Sequence, residues 1–144
     1  MNGTRLGWRL TLSLLALSGC GDDDGTGPNE AVAGSYSSTA FTVTRPGGEP
    51  EDVLAAGGIM LIHLTAEGTT TGTLDIPASI TGEEPINESM EGTFTLTGNT
   101  LQFEQIADTI IPELVWTIGP GTLSTSRTTA DGTIEITLTA LQEN

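Results

Sequence analysis

Residues 90–103 read Met90-Glu91-Gly92-Thr93-Phe94-Thr95-Leu96-Thr97-Gly98-Asn99-Thr100-Leu101-Gln102-Phe103. Met90, Gly92, Phe94 and Leu96 share one parity, and Glu91, Thr93, Thr95 and Thr97 share the other. That is the period of two expected of a strand with one buried face. Gly98-Asn99 is a two-residue hairpin signal, after which Leu101 and Phe103 take up the alternation again. The stretch predicts an antiparallel hairpin with its apolar face turned inward.

The same pattern extends in both directions. Toward the N-terminus, a first strand is expected over about 33–44, with Tyr36 on one parity and Phe41 and Val43 on the other. A bulge near Ser37–Thr39 brings all three to the same face. A second strand over about 58–66 sets Met60, Ile62 and Leu64 against Ile59, Leu61 and His63. Glu67-Gly68 then turns into a third, with Gly72, Leu74 and Ile76 inward. Toward the C-terminus come Leu114, Trp116 and Ile118, a turn at Pro120-Gly121, and a shorter strand with Leu123 and Thr125. Asp131-Gly132 turns into the last strand, with Ile134, Ile136, Leu138 and Ala140 inward.

The count is eight antiparallel strands in simple succession, a single all-β domain over residues 31–144. Eight up-and-down strands close into a barrel whose interior is filled by side chains or holds one small ligand. A β-sandwich shares the alternation and is the alternative; pairing of the first strand with the last separates the two. Tight turns join strands two to three, four to five and six to seven. The longer connections, 45–57, 77–89, 107–112 and 127–132, all fall at the other rim, which becomes the mouth. Their charges sum to about −6, a field that repels fatty-acid carboxylates and phosphates.

Composition narrows the function further. The chain has 144 residues, no lysine, one histidine, one cysteine and a formal charge of −15. From Cys20 onward two arginines face 19 acidic residues, a charge of −17. Nucleic acid is excluded as a partner, because binding it takes cations that neutralise phosphate. One cysteine permits no intramolecular disulfide and no cysteine-based zinc site.

The N-terminus supplies a location. Residues 1–9 carry Arg5 and Arg9 without an acid, and 10–17 are apolar apart from Thr11 and Ser13. This matches a secretory leader over 1–19 and is too short to span a bilayer. Leu17-Ser18-Gly19-Cys20 resembles the lipobox of bacterial lipoproteins. The resemblance implies lipidation of Cys20 and a membrane anchor, hence an outer-membrane lipoprotein of the bacterial cell envelope facing the periplasm or the cell surface. Ordinary cleavage after Ser18, which leaves Cys20 a free thiol, is the alternative. Residues 20–30, with Asp22, Asp23 and Asp24 and no apolar side chain after Cys20, read as a flexible acidic tether.

Gly34-Ser35-Tyr36 at the head of the first strand resembles the Gly-x-Trp motif of lipocalins and related calycin barrels, with Tyr for Trp. The long 45–57 connection, with a helical turn over Glu51–Ala56, corresponds to their lid. The resemblance implies a ligand-binding interior, with Tyr36, Phe41, Met60, Phe94, Phe103 and Trp116 as the candidate lining. Lipocalins often stack a late arginine on the motif aromatic. Here Arg127 is placed at the mouth and Tyr36 at the closed end, so the chain departs from that pattern.

Catalysis has little to stand on. His63 alternates mid-strand with Ile59 and Leu61 and lacks a partner in any local motif, as do Ser35, Ser37 and Ser38. Glu83, Glu84, Glu88 and Glu91 match no metal-loop spacing and read as a solvated rim. The expectation is a non-enzymatic envelope lipoprotein without cofactor or metal. It binds a small neutral or cationic apolar ligand in the barrel. The alternative is a structural or protein-interaction module with a filled barrel and an envelope protein as partner.

Overall fold

A computed structural model describes residues 28–107 and 109–142. The expected leader, Cys20 and the tether up to Gly27 lie outside the described residues. Pro28–Val32 form a 3-10 turn, so the folded body takes in the last three residues of the expected tether. Val32 is the reason: its side chain is buried, and its carbonyl accepts the Tyr36 hydroxyl at 2.9 Å.

The strands are β1 (Gly34–Thr44), β2 (Pro50–Asp52), β3 (Ile59–Leu64), β4 (Thr69–Ile76), β5 (Ile86–Ser89), β6 (Gly92–Thr97), β7 (Thr100–Gln105), β8 (Val115–Gly119), β9 (Thr122–Thr129) and β10 (Gly132–Ala140). One short helix, α1 (Ala78–Thr81), and a 3-10 turn over Ile111–Glu113 lie in the connections. Sheet order is β10-β9-β8-β7-β6-β4-β3-β1, and β1 pairs back onto β10. Eight register pairs, from Tyr36↔Ala140 to Thr44↔Thr133, close the circle. The domain is therefore an eight-stranded antiparallel up-and-down barrel, and the sandwich is ruled out. β5 and β6 act as one stave, since both pair with β4. β2 is a short flap paired to the far end of β1.

Alternation accounts for the interior. Met60, Ile62 and Leu64 are buried against an outward Leu61 and His63, and Phe94, Leu101 and Phe103 point inward as their parity requires. The register of β1 against β10 shifts between Ser38 and Ala40. This bulge puts both Tyr36 and Phe41 inside, as their opposite parity demands. Gly72, on the inward parity of β4, has φ +140°, and a Cβ there would meet the Leu61 carbonyl oxygen at 2.1 Å. The staves coil tightly at that point because nothing larger stands between them.

Two expectations are corrected. The 127–132 connection is a hairpin: β9 continues to Thr129 and pairs with β10 up to Gly132. Thr128 and Thr129 carry no apolar alternation, so their strand character is set by the partner. The rim therefore has three long connections, not four. Within 45–57, Glu51 and Asp52 of the expected helical turn belong to β2, and the turn starts at Val53, with the Asp52 carboxylate accepting the N–H groups of Leu54 and Ala55 at 2.9 and 3.2 Å.

Candidate functional site

Three buried hydroxyls mark the points where staves change partners. The β1–β3 ladder stops at Ser37↔Leu61, and the next amide, Met60 N–H, donates to Ser38 Oγ at 3.0 Å. Where β4 passes from β6 to β5, Thr70 Oγ1 donates to the Met90 carbonyl at 2.6 Å. Where β8 and β9 part beyond Thr117↔Ser124, Thr125 Oγ1 donates to the Val115 carbonyl at 2.8 Å. Each hydroxyl takes up a backbone group at the point where the ladder stops.

All six candidate lining residues converge on this interior. Phe41, Met60, Phe103 and Trp116 are 0 % exposed, Phe94 is 5 % and Tyr36 is 6 %. Phe103 and Trp116 meet edge to face, with ring centroids 5.6 Å apart. A side chain beside a void that admits a water molecule keeps some accessible area, and these four keep none. They pack as a filled core, each contributing roughly 1.5–3 kcal/mol of burial. Two polar atoms in this neighbourhood, Trp116 Nε1 and Gln105 Oε1, are buried without a hydrogen-bond partner.

The mouth is plugged by its own connections. Val53, Ile80, Ile111 and Leu114 are buried there, apolar side chains contributed by the connections. The two arginines of the described residues hold these connections together. Arg45 donates to the Ile80 carbonyl across the rim and stands 4.0 Å from Glu51. Arg127 donates to the Glu113 carbonyl at 2.8 Å and to its carboxylate at 2.9 Å. Tyr36 is thus committed to Val32 at the closed end and Arg127 to Glu113 at the mouth, so the lipocalin arginine–aromatic pairing is absent.

Four clefts on the described surface lie outside the wall or at its rim, and none touches the six candidates. A groove of about 670 Å³ crosses β8, β9, β10 and β1 over Ala40, Thr42, Val115, Thr117, Ser124 and Thr137. One of about 560 Å³ lies over β4, β6 and β7, flanked by Glu91, Glu104 and Ile106. A smaller one of about 140 Å³ sits at the rim by Val43, Ile110, Arg127 and Asp131. The fourth lies over the β1–β2 turn.

One pairing escaped the sequence. Ser35 and His63 are register partners, and Ser35 Oγ lies 2.8 Å from His63 Nδ1. Residues 28 apart meet only once the strand register is known. The pair stands on the open outer wall, and among the described residues no carboxylate hydrogen-bonds the imidazole. A nucleophilic dyad needs a group to orient the base and donors for an oxyanion, so the contact reads as a cross-strand polar pair. Glu83, Glu84, Glu88 and Glu91 are all exposed, and among the described residues no three metal-ligating side chains converge.

Comparison with protein-family models finds none that matches, and neither the curated proteins nor the solved structures give a significant match to the chain.

Proposed function

We propose that the protein is a lipid-anchored, non-enzymatic interaction module of the bacterial cell envelope, a filled barrel that works through its outer surface. The observation that carries this reading is the 0 % exposure of Phe41, Met60, Phe103 and Trp116. A barrel that carries a ligand keeps room for one, and the surroundings of these four side chains are closed. The anchor fits the geometry. Pro28–Val32 sit at the closed end, and eight residue steps from Cys20 reach at most about 28 Å. The closed end then faces the bilayer and the acidic mouth faces away from it, which also suits the repulsion between acidic side chains and anionic lipid.

A second reading, a small apolar ligand with a polar group inside the barrel, is favoured by the unpartnered Trp116 Nε1. Mass spectrometry of the full chain purified from membranes of its own host separates them. The expected result is a lipid mass on Cys20, lost in Cys20→Ser, with no further adduct under native conditions. A retained small-molecule adduct transfers the case to the second reading. Absence of lipid on wild-type Cys20 overturns the anchor.

A further inference from the structure

Five large apolar side chains are exposed among the described residues: Leu61 at 37 %, Ile106 at 81 %, Ile110 at 38 %, Val115 at 56 % and Leu141 at 51 %. Three of the five belong to the β7–β8 connection and the first residue of β8. Scattered apolar exposure is ordinary, but its concentration on one connection is not. The core role of this connection is already filled by Ile111 and Leu114, both 0 % exposed. Ile106, Ile110 and Val115 contribute one apolar wall each to three different clefts.

We propose that the β7–β8 connection, through Ile106, Ile110 and Val115, is the docking surface for a basic protein segment that carries apolar side chains. The proposal rests on the interaction-module reading and names its surface and its partner class. Charge selects the occupant. Glu91 and Glu104 flank Ile106, and Asp131 lies beside Ile110. The two arginines of the described residues are already engaged, Arg127 by Glu113 and Arg45 by Ile80 and Glu51. A second copy of this chain brings the same acids to the same place and is repelled. An anionic bilayer is an unsuitable occupant because the flanking carboxylates are repelled by its headgroups. Lysines or arginines of a partner would pair with the flanking carboxylates while its apolar residues cover the three exposed side chains.

Two measurements test this on the full chain. With Cys20→Ser protein labelled for NMR, a synthetic peptide of alternating Lys and Ile is titrated beside an alternating Lys–Ser peptide of equal charge. The Lys–Ile peptide is expected to shift the amides of Glu104–Ile106, Ile110 and Glu113–Trp116, and to bind at least five-fold tighter. The variant Ile106→Ser/Ile110→Ser/Val115→Thr should keep a folded spectrum and lose that difference. Equal binding of the two peptides, or an unchanged difference in the variant, overturns the proposal in favour of charge alone. In host cells, photo-cross-linking residues are placed at 106, 110 and 115, with 63 and 95, which line none of the three clefts, as references. Cross-links to a protein from 106, 110 or 115 that vanish at high salt support the surface when the peptide result also holds. Cross-links from 63 or 95 alone overturn this surface and leave the module reading standing. No cross-link from any position overturns both.

Discussion

Tyr36 is the only tyrosine in the chain, and it ties the 3-10 turn to the barrel through its bond to the Val32 carbonyl. Burial pushes its phenol pKa up from the ordinary value, because the anion would lie in a dry environment. A raised folded-state pKa means the folded form holds its proton where the unfolded chain has lost it. The stabilisation is complete below the unfolded value of about 10 and declines as pH rises through the folded one. Tyrosinate absorbance should therefore appear only above the normal range, together with alkaline loss of structure. Tyr36→Phe should remove that alkaline limb and cost about 1 kcal/mol at neutral pH for the lost hydrogen bond. Normal titration of the wild-type phenol would show that the plug does not hold.

At the scale of elements, the alternation was legible wherever one face is apolar and the other polar. The 90–103 hairpin reads directly, and so does the bulge that reconciles Tyr36 with Phe41. β2 was not legible, because Pro50-Glu51-Asp52 has no apolar residue with which to show a period. Nor was the plugging role of Val53, Ile80 and Ile111, since their connections carry no regular period that says which apolar side chain turns inward. The Ser35–His63 pair depends on register, which local sequence does not fix. The six inward candidates were legible as inward. Whether they line a space or fill it depends on packing, which only the three-dimensional arrangement decides.

The patched ladder breaks belong to this scale as well. Thr125→Val keeps the shape of the side chain but withdraws the only side-chain donor to the Val115 carbonyl. It should destabilise the domain by about 1 kcal/mol in urea titration, the net worth of the lost hydrogen bond. Thr128→Val, on the exposed part of the same strand, should change stability by less than about 0.5 kcal/mol. Equal effects at the two positions would mean the β8–β9 break needs no patch.

For the whole molecule, the decisive property is how few cations it has and where they are. The chain lacks lysine, and its arginines are Arg5, Arg9, Arg45 and Arg127. Arg45 precedes Pro46, a bond that trypsin leaves alone. Arg127 lies within β9, opposite Ile134, with its guanidinium held by Glu113. A protease specific for basic residues thus finds a single susceptible bond in the body, and that bond is inside a closed wall. Full-length protein incubated with trypsin should lose at most its first nine residues, as read by intact mass. Rapid cutting after Arg127 would show that the β9–β10 wall opens. Lacking lysine, the folded domain has no side-chain amine to acylate, glycate or biotinylate, and with its arginines clasped at the mouth it has almost nothing for a tryptic enzyme to grip.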